Sequence, residues 1–125
     1  MKIVFISLTG QTRKFVKKLN MDSLELSAAN PFQVVEEPYI IVTPTYDKEV
    51  TEILNDFIET ANNQHFLKGV AGGGNLNFGK LFVFTAKDLA HDYNVPFLHS
   101  FEFQGNEEDV NLIKKAVDQI DNYTS

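Results

Sequence analysis

What most constrains this chain is how its apolar residues change period. Short β-branched and aromatic runs alternate with stretches spaced for a helix. Lys2 to Ser7 reads as a strand, ended by Thr9-Gly10. Thr12 to Leu19 follows with helical composition and Phe15, Val16 and Leu19 on one side. Leu24 to Leu26 is a short second strand. Tyr39-Ile40-Ile41-Val42 is a continuous apolar strand, the kind buried on both faces, and Thr43-Pro44 closes it. Val50, Ile53, Leu54, Phe57, Ile58 and Ala61 then recur at helical spacing. A fourth strand, about Leu67 to Ala71, runs into Gly72-Gly73-Gly74, and three glycines in a row make poor strand and poor helix. A fifth strand spans Pro96 through Phe103. Val110, Ile113, Val117 and Ile120 end the chain as a helix, opened by Glu107, Glu108 and Asp109 where the helix dipole favours anions.

Leu81-Phe82-Val83-Phe84 looks like strand, whereas Ala86, Leu89, Ala90 and Tyr93 look like helix. Parallel neighbours need a crossover between them, so Lys80 to Tyr93 is expected to be helical. Ser27 to Glu37, broken by Asn30-Pro31, is a poor crossover helix. The alternation predicts an α/β fold over residues 1–125, a doubly wound sandwich with a parallel sheet and helices on both faces. A chain of 125 residues can bury one sufficient core.

Composition narrows the chemistry. Eleven Lys and Arg against seventeen Asp and Glu leave a net charge of −6, which argues against nucleic acid or a membrane surface as partner. Cysteine is absent, which removes disulfides, thiolate metal sites and cysteine nucleophiles together. Redox work, if any, falls to a cofactor. No apolar run approaches the ~20 residues of a membrane span, and the apolar start is too short for a signal peptide. A cytoplasmic protein is expected.

In doubly wound sheets ligands sit beyond the carboxyl ends of the strands. After the first strand, Ser7-Leu8-Thr9-Gly10-Gln11-Thr12 places three hydroxyls and a glycine where strand turns into helix. Hydroxyl donors and free N–H groups there suit a phosphate, although a plainly capped helix start would use the same residues. After the third strand, Thr43-Pro44-Thr45-Tyr46 offers a tyrosine on a stiff loop that could stack on a planar ring or simply lie wet on the surface. After the fourth, Gly72-Gly73-Gly74-Asn75-Leu76-Asn77-Phe78 offers close backbone and an aromatic ring, or a hinge.

Other patterns lead nowhere. Gly74 to Lys80 spells G-x-x-x-x-G-K, but Leu81 stands where a nucleotide-triphosphate loop has the Ser or Thr that holds magnesium. A receiver-type phosphoacceptor domain needs acidic residues where Ser7, Thr9, Thr43 and Thr45 stand. His65, His91 and His99 lack metal-ligand spacing, and His91 and Asp92 should point apart on a helix. Glu49, Glu52, Asp56 and Glu59 fall opposite the apolar stripe as a solvated face. No residue set is placed for acid, base or nucleophile work, so no metal site and no enzyme with its own substrate turnover is expected.

The turn Ser7 to Thr12, with Arg13-Lys14-Phe15-Val16 after it, resembles the opening of the NrdI family, the flavodoxin-like activators of class Ib ribonucleotide reductase. Gly69 to Gly79 resembles that family's glycine-asparagine loop, and Val95 to Gly105 with Asp109-Val110 its last strand and helix start. The resemblance implies a flavodoxin-like fold, five parallel strands in the order 2-1-3-4-5, with noncovalent flavin mononucleotide (FMN). It implies that Ser7, Thr9, Gln11 and Thr12 take the phosphate beside Gly10. Thr43, Pro44, Thr45 and Tyr46 would bracket the ring on one side, and Gly72, Gly73, Gly74, Asn75, Asn77 and Phe78 on the other. It further implies an electron donor such as a flavin reductase, oxygen as oxidant, and the dimanganese small subunit of the reductase as partner. Two departures stand out. Leu76 replaces a residue that is often basic, and residues 45–49 contain no glycine to let a peptide turn over beneath the flavin. The one-electron form of the flavin is accordingly expected to be weakly stabilised. A general flavodoxin electron carrier and a flavin-free α/β interaction module are the competing readings.

Overall fold

The computed structural model describes residues 1–45, 48–74 and 84–124. In chain order the elements are β1 (Lys2–Ile6), α1 (Gln11–Leu19), β2 (Ser23–Leu26), β3 (Tyr39–Pro44), α2 (Lys48–Ile58), α3 (Asn63–Phe66), β4 (Leu67–Gly74), α4 (Phe84–Asp92), β5 (Phe97–Glu102) and α5 (Glu107–Thr124). All five strands are parallel, in the order β2-β1-β3-β4-β5.

The apolar runs form a central sheet because consecutive side chains are buried on opposite faces. Ile3 and Phe5 join Ile40, Val42, Phe15, Val16, Leu19, Ile113 and Val117 on one side. Val4 and Ile6 join Tyr39, Ile41, Leu54, Phe57, Ile58 and Leu89 on the other. Helices α1 and α5 therefore cover the first face, and α2 and α4 the second. The exposed face of α2 carries Glu52 and Asp56, with Glu59 exposed just past its end, as the spacing predicts. Asn20, at φ 53, stops α1 with its N–H on the Lys17 carbonyl, a left-handed cap that asparagine tolerates. Among the described residues no helix is long and apolar enough to cross a membrane.

The doubtful helical segment is helical over Phe84–Asp92, while residues 80–83 lie outside the described residues. The crossover from β2 to β3 contains no helix. Asn30 folds its start, its Oδ1 accepting from the Ser27 N–H at 2.7 Å. The side chain of Asn63, fully buried at the start of α3, fastens its end. Asn63 Oδ1 accepts from the Val35 N–H at 2.9 Å, and Nδ2 donates to the carbonyls of Gln33 and Phe57, both at 2.8 Å. One satisfied amide thus replaces the ladder that a crossover helix would supply.

Two expectations need correction. The glycine run does not end the fourth strand: β4 continues through Gly74, paired on both sides as far as Gly73, which lies opposite Pro44, and with β5 at Gly74, which lies opposite Glu102. Pairing with its neighbours carries the strand through the glycines, and Phe101 occupies the space a side chain on Gly73 would need. A Cβ on Gly73 would lie 2.6 Å from the Phe101 ring. His91 and Asp92, expected to point apart, approach to 3.6 Å, with both side chains mostly in solvent.

Candidate functional site

The register puts the carboxyl ends of β1, β3 and β4 on one edge of the sheet. Phe5 pairs with Val42, so the chain leaves β1 and β3 side by side, and Thr43 pairs with Gly72. The strand order reverses between β2-β1 and β3-β4-β5, which opens a crevice at the carboxyl ends of β1 and β3.

At the first of these ends Gly10 adopts φ 89 and serves as N-cap of α1. A side chain there would be strained by the backbone, not by crowding, because its Cβ would meet nothing closer than the Arg13 guanidinium at 4.0 Å. Gly10 has no side chain to cap with, so Ser7 caps from three residues earlier. Its Oγ accepts from the N–H of Gly10 at 3.2 Å and of Arg13 at 3.3 Å. The N–H groups of Gln11 and Thr12 have no partner among the described residues, nor do the side chains of Thr9, Gln11 and Thr12. The first turn of α1 contains no carboxylate. Thr12 is buried, Gln11 half-buried and Thr9 exposed.

Arg13, the next residue of the turn, is committed to a partner on β2. Its Nε and Nη2 donate to Glu25 on β2 at 2.9 and 2.6 Å, a two-pronged pair across adjacent elements. Those hydrogen bonds hold the Glu25 carboxyl below the usual carboxylate range, helped by the Arg13 charge and opposed by burial. The 12-residue separation of this pair left no local signal in the sequence.

On the β3 side, Thr43 is fully buried and its hydroxyl donates to the Pro44 carbonyl at 3.0 Å. Thr45 points inward, its Oγ1 donating to the Gly73 carbonyl at 2.9 Å. Pro44, Gly72, Gly73 and Gly74 sit where the strand ends converge. Tyr46, Asn75, Asn77 and Phe78 lie outside the described residues, as does Leu76. Within β5, His99 is half-buried, with its Nε2 2.7 Å from Asp109 Oδ1. Asp109 and Asn106 cap α5 reciprocally, each backbone N–H donating to the other's side chain at 2.9 Å.

A five-stranded parallel sheet in this order, wrapped on both faces and carrying a hydroxyl-lined turn after its first strand, defines a flavodoxin-like protein. Two solved structures share the fold. One is a short-chain flavodoxin associated with a non-canonical PDU bacterial microcompartment, 18% identical with a TM-score of 0.66 over 99% of this chain and 97% of that one. The other is oxidised flavodoxin 2 from Bacillus cereus, 15% identical with a TM-score of 0.62 over 98% of this chain and 99% of that one. The model of the NrdI flavodoxin-like family matches residues 3–115, and the chain belongs to that family.

The family implies a flavin. The residues present fit the phosphate end of one. Two N–H groups and three polar side chains without a partner among the described residues, with a carboxylate-free first turn, make a donor set suited to a phosphate monoester.

Proposed function

We propose that this chain is a cytoplasmic FMN-binding activator of class Ib ribonucleotide reductase. In this reading it delivers superoxide, or peroxide, to the dimanganese site of the small subunit and so enables deoxyribonucleotide synthesis. The family match over residues 3–115 carries the reading. The donor set after β1 supports the cofactor, and the absence of cysteine requires one for redox work.

Gln11 and Thr12 would hold the phosphate through their N–H groups, and Thr9, Gln11 and Thr12 through their side chains. Ser7 keeps the turn in shape by holding the N–H groups of Gly10 and Arg13. Gly10 lets the backbone curl around the anion, and the N-terminal end of α1 favours its charge. The ends of β3 and β4 would bound the ring, with Tyr46, Asn75, Asn77 and Phe78 assigned there by resemblance. When bound and reduced, the flavin supplies one electron to dioxygen to give superoxide, or two electrons and two protons to give hydrogen peroxide. An electron donor of the flavin reductase class restores it. The chain acts as a carrier and activator rather than an enzyme with its own substrate.

The test is a spectrum followed by an assay. Purified protein should show flavin absorption or take up one equivalent of FMN. After anaerobic reduction, oxygen should release superoxide, and the reduced protein should activate manganese-loaded small subunit. Failure to bind FMN overturns the cofactor. Promiscuous electron transfer without activation would instead indicate a general flavodoxin.

A further inference from the structure

Three consecutive glycines at the end of a strand have no side chains to restrict them, yet the last two carbonyls of this run are both held. The Gly73 carbonyl accepts the Thr45 hydroxyl at 2.9 Å from the β3 side. The Gly74 carbonyl accepts the Phe103 N–H at 3.1 Å from the β5 side. We propose that Thr45 is a positioning residue for the ligand site: with the Phe103 N–H opposite, its hydroxyl clamps the glycine run so that Gly73 and Gly74 keep one backbone conformation at the end of β4.

Three features of the structure support the clamp. Thr45 is 9% exposed, and a threonine hydroxyl has one proton. Donated to Gly73, that proton is no longer available to a phosphate or to a ring, so Thr45 acts on the site through the backbone of β4. Phe103, in turn, sits at φ 52, a conformation that residues with side chains rarely adopt. Its side chain is 54% exposed, so burial does not hold it there. The hydrogen bond to Gly74, and the turn closed by the Gly105 N–H on the Glu102 carbonyl at 2.8 Å, do. Finally, Phe101 covers Gly73 so closely that no Cβ would fit. Gly73 is thus fixed at its carbonyl by β3 and at its Cα by β5, and the peptide that follows it cannot turn over without breaking the Thr45 bond.

The clamp concerns the wall of the site and rests on the flavin reading only for what that wall holds. Its test therefore has one arm without flavin. Thr45→Val keeps the shape and removes the donor, and Thr45→Ser keeps the donor. Thr45→Ala replaces the valine variant if valine does not fold. In flavin-free protein, amide exchange at Gly72 to Gly74 and at Phe103 should rise about tenfold in Thr45→Val, with Val4 and Ile41 unchanged and Thr45→Ser like the parent. With FMN added, Thr45→Val should bind roughly five- to tenfold more weakly and alter the visible circular dichroism of the bound flavin, with Thr45→Ser within about twofold of the parent. Unchanged exchange at the glycine run, a uniform rise at every amide, or equal loss in the valine and serine variants would each overturn the clamp. If the parent protein refuses FMN, the proposed function falls, and the exchange arm alone decides the clamp.

Discussion

The Phe101 ring lies nearly flat on Phe15, with centroids 4.0 Å apart and planes 17° from parallel. The pair joins β5 to α1, and through Phe101 it also covers Gly73 on β4. The helix that begins at the hydroxyl-lined turn and the strand that ends in the glycine run are therefore packed against the same ring. That contact sets the role of Gly73, which differs from the role of Gly10.

Gly73 is required by space, and Gly10 by backbone conformation. Gly73→Ala forces a methyl to within 2.6 Å of the Phe101 ring, whereas Gly10→Ala meets open space at φ 89. Urea denaturation should show a loss of about 1–3 kcal/mol for Gly73→Ala, the range of core overpacking. Gly10→Ala should lose about 1–2 kcal/mol from left-handed strain. Of the two, only Gly73→Ala should also disturb the near-ultraviolet signal of the aromatic stack.

Asn63 carries the crossover that lacks a helix. Asn63→Ala strands the buried Val35 N–H and Phe57 carbonyl and the half-buried Gln33 carbonyl. A stability loss of roughly 2–4 kcal/mol in urea is expected, beyond the usual effect of one substitution. A loss under about 1 kcal/mol would mean that water replaces the amide.

Tyr39 is fully buried, and its hydroxyl has no hydrogen-bond partner among the described residues. Burial raises its phenol above the ordinary range. Tyr39→Phe should therefore be neutral or stabilising, by up to about 1 kcal/mol in the urea midpoint. Tyr93, whose hydroxyl donates to Asn55 Oδ1 at 2.8 Å, is pushed up to about 12, chiefly by burial and then by Glu59. Both phenols ionise more readily in the unfolded chain. Their contribution is thus complete below the ordinary phenol value near 10 and is lost as pH rises through the raised folded values, about 12 for Tyr93 and higher for Tyr39. Urea midpoints between those limits should fall, and Tyr39→Phe should flatten the fall.

Glu25 behaves in the opposite sense. Its carboxyl is held low by Arg13, so the pair contributes above the unfolded carboxylate value and is lost as pH falls through the lower folded value. Glu25→Gln should remove part of the acid dependence of the urea midpoint. High salt should mask the difference, because the pair is partly in solvent.

Thr12 separates folding from ligand binding. It is 3% exposed, and its hydroxyl has no partner among the described residues. Thr12→Val should leave the unfolding midpoint nearly unchanged and weaken FMN binding about tenfold by fluorescence titration. Unchanged affinity would move the phosphate away from this side chain.

The period of the apolar residues was enough, by itself, to place the five strands and most of the helices that wrap them. A strand buried on both faces must be apolar at consecutive positions, and β1 and β3 are. The hydroxyl-rich turn was equally legible, because a cap and an anion socket both depend on residues adjacent in the chain. The course of the glycine run through β4 depended on Phe101, which lies 28 positions beyond Gly73 in the chain. The pairing of Arg13 with Glu25, the anchoring of the crossover by Asn63 and the inward turn of Thr45 were likewise decided only in three dimensions. These contacts join residues 12 to 30 positions apart. Local spacing describes which way a side chain points from its own element, but not what the fold brings to meet it.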